Sequence, residues 1–388
     1  MTAPSAAKFV VATPSRSVCD DNARALEHAG LLRFIALGTR RGTANVPRER
    51  TRLNPAIGSL AYLSSTLLSN YWGEWTRFGL HPWFDRWVRQ QLQPGDHIIS
   101  SYGYANESFR WVRAHGGCTF LDGGNSHPEH FMSIMAEEHH RWKCPIPPLP
   151  PHHYQRAVAM MPHVDFVLSP SSFVTRSFLD RGFGPEQILR NVYPVDLSCF
   201  TPAKEVRPAD RPLTVISTGS LSLRKGTPYL LDAFRLVLRS EPNARLLLTS
   251  VIADSVKPLL EKASDLPIDW SPGLPHPQLA KRLRSADMFV LPSLEDGFAR
   301  TVTEALACGL PAIVTPNTGA ADLVVPGVSG SITPIRDSAA LAETILDWWG
   351  KVRAPSIPPR SMLTAETVSF TTFEHEFLAQ LRERRFIA

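Results

Sequence analysis

Residues 287–322 read DMFVLPSLEDGFARTVTEALACGLPAIVTPNTGAAD. An apolar strand, 288–291, leads into an acidic turn around Gly297. The pattern then predicts a helix over about 301–308 and a second strand at 312–314. Strand–loop–helix–strand units of this kind build parallel sheets, and their ligands bind beyond the carboxyl ends of the strands.

The same alternation of strands and helices extends in both directions along the chain. Buried strands are predicted at 9–13, 34–37, 97–101, 118–121, 165–168, 188–192, 214–217, 245–249 and 330–332. Residues 40–52 are rich in arginine and uneven in pattern, which predicts an exposed loop, and the prolines of 200–212 mark a linker. The sequence therefore predicts an α/β protein with two Rossmann-like β/α/β domains across a cleft, 1–197 and 198–370.

Length and composition limit the class of protein. A chain of 388 residues suits two domains of medium size. Its five cysteines are scattered without CxxC pairs, which favours a reducing compartment over a disulfide framework or a zinc site. The sequence has no apolar run of membrane-spanning length and no signal-peptide pattern at 1–20, so we expect a cytoplasmic protein.

Charge and aromatic residues concentrate in the first half. Residues 1–195 contain 20 Lys and Arg against 15 Asp and Glu, a difference of +5, whereas the remainder is balanced at 21 against 21. The segment 57–92 is rich in Tyr and Trp. It either packs helices onto the sheet or forms a surface that binds an acceptor or the inner face of a membrane. Both interpretations stay open at the level of sequence.

One function class is disfavoured by the first loop of the chain. After the strand at 9–13 the sequence reads TPSRSVCDDN, which lacks the GxGxxG fingerprint of dinucleotide-binding domains. An NAD-dependent oxidoreductase is therefore poorly supported.

The turn from Gly219 to Gly226 is a candidate phosphate site. It follows a strand, precedes a helix and carries Arg224 and Lys225. Cations beside helix N–H groups at the end of a strand suit a phosphate. Alone, such a pair is usually solvated surface, but the acidic turn around Gly297 lies at the same edge of the predicted sheet.

Asp296 and Glu304 form the second candidate group, because loop and helix place both carboxylates at that edge. A sugar nucleotide offers hydroxyls at both ends and a diphosphate between them, and carboxylates accept from hydroxyls. The N–H groups near Thr301 and Val302 could meet the phosphates. The alternative is that both carboxylates merely favour the positive end of the helix.

These stretches resemble a known family. DGFARTVTEALACGLP is similar to the signature of the family 4 glycosyltransferases, which are retaining enzymes of the GT-B fold. Further similarity, in the same order over about residues 165–345, lies in FVLSPSSFVTRSFLDRG, YPVD, GSLSLRKGTPYLLDAF, SADMFVLPS and TGAADLVVPGVSG.

The resemblance implies roles for individual residues in the donor site. Lys225 would bind the donor diphosphate, with Gly219 and Ser220 opening its turn. Asp296 would contact hydroxyls of the transferred sugar, and Glu304 would bind the ribose.

Three further residues enter through the resemblance. The N–H groups of Phe298 and Ala299 would lie near the sugar. His127, in GGNSHPEHF, resembles the family histidine that reaches the transferred sugar across the cleft.

The sequence departs from the family pattern at several positions. Asp296 stands where glutamate is usual, with Glu295 beside it, and Ala299 replaces the second glycine of GFG. Ser220 stands where an arginine commonly begins the phosphate turn, so Arg224 would supply that charge.

The implied activity is transfer of a sugar, with retention, from a nucleotide-diphosphate sugar to a hydroxyl of a glycan, glycolipid, polysaccharide or small molecule. The resemblance implies neither a metal nor another cofactor, and the chain has no DxD motif. No nucleic-acid partner is expected, and a final helix at about 371–388 would pack back onto the first domain. A sugar-nucleotide epimerase and a non-catalytic sugar-nucleotide-binding protein remain as alternatives.

Overall fold

The structure is a computed structural model that describes residues 8–14, 17–38, 46–68, 70–205, 207–353 and 361–387. Two parallel sheets, each flanked by helices, make up two domains. The predicted two-domain α/β architecture is therefore confirmed.

The N-terminal domain contains a seven-stranded sheet in the order β3-β2-β1-β4-β5-β6-β7, with every pair parallel. The central strands are short apolar runs that are buried on both faces, as parallel sheets between helices require. The strands are β1 Phe9–Thr13, β2 Leu32–Leu37, β3 Thr51–Leu53, β4 His97–Ser100, β5 Thr119–Asp122, β6 Phe166–Ser169 and β7 Ile188–Arg190.

The C-terminal domain contains a six-stranded parallel sheet in the order β10-β9-β8-β11-β12-β13. Its strands are β8 Thr214–Leu221, β9 Arg245–Ile252, β10 Ile268–Ser271, β11 Met288–Leu291, β12 Ala312–Val314 and β13 Gly330–Ile332.

Helices connect these strands, and several begin at capping side chains. Ser171, Asp337 and Ser369 each accept an N–H bond from the first turn of the helix that follows. The helices are α1 Cys19–His28, α2 Pro55–Leu67, α3 Asn70–Gly79, α4 His81–Arg89, α5 Asn106–Ala114, α6 Pro128–Arg141, α7 Pro151–Met160, α8 Ser172–Leu179, α9 Thr227–Ser240, α10 Lys257–Glu261, α11 His276–Arg284, α12 Arg300–Ala307, α13 Ser338–Val352 and α14 Phe370–Glu383.

Three local predictions need correction. The loop predicted at 40–52 contains the edge strand β3, which pairs with β2, while its residues 40–45 lie outside the described residues. The edge strand β10 was not predicted, because IDWS has one buried face at most and too few apolar residues to signal a strand. Strand β8 continues to Leu221 in register with β9, so Gly219 and Ser220 lie in a strand rather than in a turn.

Helix α6 belongs to the N-terminal half of the chain but packs on the C-terminal domain. Its Phe131 and Met135 are buried in the same apolar cluster as residues of β8, β9 and α9. Glu138, fully buried, accepts hydrogen bonds from Tyr229 Oη at 2.7 Å and from Arg336 Nε at 2.9 Å. The two domains are therefore joined by an apolar contact and by a buried ion pair.

Helix α14 follows the C-terminal domain in sequence but packs on the N-terminal domain. Its buried Phe373, Phe377 and Leu381 share an apolar cluster with residues of β1 and α1. Within the described ranges, no helix is both long and apolar enough to span a membrane.

Candidate active site

The loop that follows β11 meets the loop that follows β5 across the domain boundary. Glu295 is fully buried, and its Oε1 accepts hydrogen bonds from the backbone N–H of Ser126 at 2.8 Å and from Ser126 Oγ at 3.0 Å. The other carboxylate oxygen binds Arg224 at 3.1 Å. Glu295 therefore connects the N-terminal domain to the candidate phosphate turn.

The backbones of the two domains approach each other closely at this point. A Cβ added to Gly297 would overlap the carbonyl oxygen of Gly124, and one added to Gly319 would overlap that of Gly297. Ser171 Oγ also donates to the Gly297 carbonyl at 2.8 Å. Glycine is required at 297 because no side chain fits between these backbones.

Arg224 and Lys225 lie together at the predicted edge of the sheet, and each is paired with an acid. Lys225 Nζ donates to Asp296 Oδ2, next to the Arg224–Glu295 pair. Burial opposes ionisation of Asp296, but the charges of Lys225 and Arg224 outweigh it and hold the pKa of this carboxyl below its usual value. The site is thus a balanced group of two cations and two carboxylates.

Glu304 lies in α12, and its side chain is only 7% exposed. Its Oε2 has no hydrogen-bond partner within the described part of the chain. Burial raises the pKa of Glu304 from 4.5 to about 7, although the charge of Arg300 opposes this rise. A buried carboxylate with an unfilled acceptor position is suited to accept from a ligand hydroxyl.

Three buried hydroxyls near the carboxyl ends of β8, β9 and β11 are also without hydrogen-bond partners among the described residues: Thr218 Oγ1, Ser250 Oγ and Ser293 Oγ. Unsatisfied buried polar groups are rare in folded proteins, and several along one edge indicate a place where a polar ligand binds. This is the edge at which the Asp296 loop lies.

The start of α12 adopts an unusual backbone conformation. Ala299, its N-cap residue, has φ 60° and ψ 70°, the left-handed region that glycine adopts without cost. The Phe298 N–H donates to Asp296 Oδ1 at 3.3 Å, and the Val302 N–H donates to the Ala299 carbonyl at 2.9 Å. Thr301 lies between them in the first turn. The strained residue therefore stands beside the acid of the site.

His127 is held by the N-terminal domain. It is the N-cap residue of α6, and its Nδ1 accepts from the Glu129 N–H at 3.3 Å. Its ring contacts Phe178 and Phe183, with centroid distances of 5.2 and 6.2 Å. Burial lowers the pKa of His127 to about 4. The catalytic role of His127 stays a prediction.

A cavity of about 580 Å³ opens in front of the phosphate turn. Ser220 and Arg224 line it from the C-terminal domain, and Asn125 and Phe131 line it from the N-terminal domain. Gly219, one residue earlier in β8, has φ 117°. Among the described residues, no group of three or more His, Cys, Asp or Glu side chains is arranged to hold a metal ion.

Sequence reasoning missed the residues that support the Asp296 loop from the other domain. Asp122, at the end of β5, accepts from Tyr193 Oη at 2.5 Å, and the Tyr193 ring contacts Phe298 with a centroid distance of 5.8 Å. Ser172 donates to Asp322, and Ser126 donates to Glu295. The available signal for Ser126 was its position in GGNS at the end of a strand. That pattern does not identify Glu295 as its partner, which lies 169 residues further along the chain.

Comparison with known proteins identifies the C-terminal domain. Residues 201–350 match the family described as glycosyl transferases group 1. The resemblance drawn from the sequence is therefore confirmed at the level of family.

Curated relatives match parts of the chain. The D-inositol 3-phosphate glycosyltransferase of Frankia alni is 30% identical over 143 residues, which are 34% of this chain and 35% of that protein. The GDP-mannose-dependent alpha-(1-6)-phosphatidylinositol monomannoside mannosyltransferase of Mycolicibacterium smegmatis is 28% identical over 193 residues, 45% of this chain and 50% of that protein. The chain thus spans half or less of these relatives.

The fold extends over nearly the whole chain. The structure of Anabaena HepE in complex with UDP is similar, with a TM-score of 0.64 at 17% sequence identity. The match covers 97% of this chain and 100% of that chain. The group 1 domain and the domain before it therefore have the GT-B arrangement that the sequence predicted.

Ala299→Gly should stabilise the protein by about 1 kcal/mol, because glycine adopts the left-handed conformation without the clash of a Cβ. Urea unfolding measures the free energy of unfolding. Ala379→Gly, at an exposed position inside α14, is the matched control and should destabilise by about 1 kcal/mol. Equal losses of stability in both variants would contradict strain at Ala299.

Glu304→Gln should change the pH dependence of stability. Because the folded pKa is raised from 4.5 to about 7, the folded state retains a proton that the unfolded state releases, and wild-type stability falls as pH rises through this interval. Glutamine is neutral at every pH in this interval, so the variant does not lose stability in this way. The variant should therefore gain up to roughly 3 kcal/mol relative to wild type between pH 4.5 and 8.

Urea unfolding at pH 4.5 and at pH 8 measures the difference in the free energy of unfolding between the variant and wild type. Glu376→Gln, on the exposed side of α14, controls for the chemical change itself. A difference between Glu304→Gln and wild type that is the same at both pH values would refute the raised pKa.

Proposed function

We propose that this chain is a retaining glycosyltransferase that moves a sugar from a nucleotide-diphosphate sugar to an acceptor hydroxyl. The observation that supports it best is the placement of two cations, Arg224 and Lys225, beside Asp296 at one sheet edge, with the unsatisfied Glu304 in the helix that follows this loop. This order of charges matches a diphosphate between two hydroxyl-bearing sugars. The family of residues 201–350 supports the same reaction class.

Donor binding would exchange ionic partners within the site. The diphosphate competes with Asp296 for Lys225. It also binds the N–H donors of Arg224 that Glu295 does not use, because phosphate oxygens bind both cations strongly. Asp296, once released from Lys225, is free to accept from hydroxyls of the transferred sugar. Glu304 accepts from the ribose hydroxyls, which fill its unpaired oxygen.

The reaction would proceed on one face of the sugar. The bond between the anomeric carbon and the diphosphate breaks as the acceptor oxygen bonds to the same face of that carbon. The acceptor proton passes to the departing phosphate oxygen, and a nucleoside diphosphate leaves. Lys225 and Arg224 stabilise the negative charge that develops on the leaving group, so the proposed reaction requires neither a metal nor another cofactor.

Lys225→Ala should lower turnover by about 10²–10³, because it removes one donor to the leaving diphosphate. The measurement is release of nucleoside diphosphate from a panel of UDP, GDP, ADP and TDP sugars, with and without acceptors. Lys262→Ala, at an exposed position of the same domain, is the matched control. Circular dichroism and the melting temperature report whether the variant is folded. Wild-type turnover in folded Lys225→Ala would refute the site.

The same assay separates the alternatives. An epimerase converts the nucleotide sugar without any acceptor and releases no glycoside. A non-catalytic binding protein gains melting temperature with nucleotide sugars but neither hydrolyses nor transfers them. Transfer that requires an acceptor and is lost in Lys225→Ala supports the glycosyltransferase.

We also propose that the protein contacts an anionic membrane surface peripherally. Helix α2 has no charged residue, and the side chains of α2 to α4 expose a set of large apolar groups between 42 and 72%: Leu60, Tyr62, Leu63, Leu67, Trp72, Trp75 and Trp83. Arg77, Arg86 and Arg89 follow on α3 and α4. Aromatic and leucine side chains with arginines nearby are typical of surfaces that enter the headgroup region.

Trp72→Ala combined with Leu67→Ala should reduce co-sedimentation with vesicles of anionic phospholipid at least tenfold, since two exposed apolar groups no longer enter the bilayer. Binding of the wild type should also weaken with salt. Val328→Ala, 69% exposed in the other domain, is the matched control. A wild type that does not sediment with the vesicles would refute membrane contact.

A further inference from the structure

A second cavity, of about 330 Å³, lies within the N-terminal domain beside the Asp296 loop. Its position is set by the ends of β4 and β5 and by helices α3 and α7. Six aromatic rings line it: Phe78, Tyr102, Tyr104, Phe131, Tyr154 and Tyr193. This volume, at the small end of ligand sites, suits a single ring rather than a whole nucleotide sugar.

The residues that line this aromatic cavity hold one another in place. Tyr102 Oη donates to the Asn125 carbonyl at 2.5 Å. The Phe78 ring stacks on His153, with 3.9 Å between centroids and 14° between planes. Walls that are fixed before binding lose little conformational entropy when a ligand enters, which favours recognition of a rigid ring.

The aromatic cavity and the cavity in front of the phosphate turn differ in charge. No Asp, Glu, Lys or Arg is among the described residues that line the aromatic cavity. His153 also lines it, and burial lowers the pKa of His153 to about 3, so this imidazole is neutral near pH 7. The other cavity is lined by charged groups, including Arg77 and Arg224.

The two cavities share a wall. Asn125, Phe131 and Leu149 line both of them. The residue after Asn125 is Ser126, whose N–H and hydroxyl bind Glu295 next to Asp296. A ring bound in the aromatic cavity therefore lies adjacent to the place where the transferred sugar would sit.

We propose that the aromatic cavity is the acceptor subsite and that it takes an uncharged hydroxylated ring, such as a pyranose, and rejects the phosphorylated form of the same ring. The inference rests on the proposed function. The faces of aromatic rings are electronegative and pack against the apolar C–H face of a sugar ring. A phosphate in this cavity would have no cation among the described residues that line it, and such a mismatch is disfavoured.

The experiment compares two probes, phenyl β-D-glucopyranoside and its 6-phosphate, by calorimetric titration of the full chain. The neutral probe should bind at least about 100-fold more tightly than the phosphate. Tyr154→Ala should weaken the neutral probe about tenfold, whereas Tyr154→Phe keeps the ring and should bind it as wild type does. Trp270→Ala, 47% exposed on β10, is the control for loss of an aromatic ring elsewhere.

Tyr154→Arg adds the missing cation and should reduce the ratio of the affinities for the two probes by at least tenfold. Equal binding of both probes, binding of neither, or binding that is unchanged in Tyr154→Ala overturns the proposal. Failure of the proposed function has a separate signature, because thermal shifts with UDP, GDP, ADP and TDP depend on Lys225 and not on Tyr154. A protein that responds to none of these nucleotides refutes donor binding instead.

Discussion

The structure depends on one buried carboxylate that serves both domains. Glu295 has no exposed surface, and its two oxygens are divided between Ser126 of the N-terminal domain and Arg224 of the phosphate turn. A buried charge is tolerated only when it is fully paired, so neither partner can move without a large loss of stability. The position of the first domain is thereby linked to the cation that would meet the donor. Gly297, pressed against the Gly124 backbone, allows this approach.

Charge is distributed across the cleft according to the chemistry of the two proposed substrates. The two cations of the phosphate turn, Arg224 and Lys225, are on the C-terminal side, where an anionic diphosphate would lie, and both are compensated by acids in the structure. Aromatic rings and a neutral histidine line the other side. A diphosphate that takes Lys225 from Asp296 releases this acid to accept from the hydroxyls of the sugar. The electrostatics therefore favour a charged donor and an uncharged acceptor.

The sequence was sufficient for the fold because the signals were local. Apolar runs of four or five residues, separated by helices with clear caps, identified most strands, and the family motif placed Lys225, Asp296 and Glu304 at one edge. Short edge strands such as β10 carry too little pattern to be found. His127 shows the limit for the site, because a motif predicts the position of a residue but not the direction of its side chain. The contact of Ser126 with Glu295 depends on how two domains meet, and no local pattern encodes it.

Helix α6 shows that order along the chain and order in space differ in this protein. Residues 128–141 precede the linker, yet Phe131, Met135 and Glu138 complete the interior of the C-terminal domain. A recombination event that exchanged the first half of the chain for that of a relative would deliver a foreign helix to this interior. Such an exchange succeeds only where the incoming helix provides the same apolar face and an acid for Arg336. Exchange of the N-terminal domain in proteins with this arrangement is therefore constrained by one helix rather than by the linker.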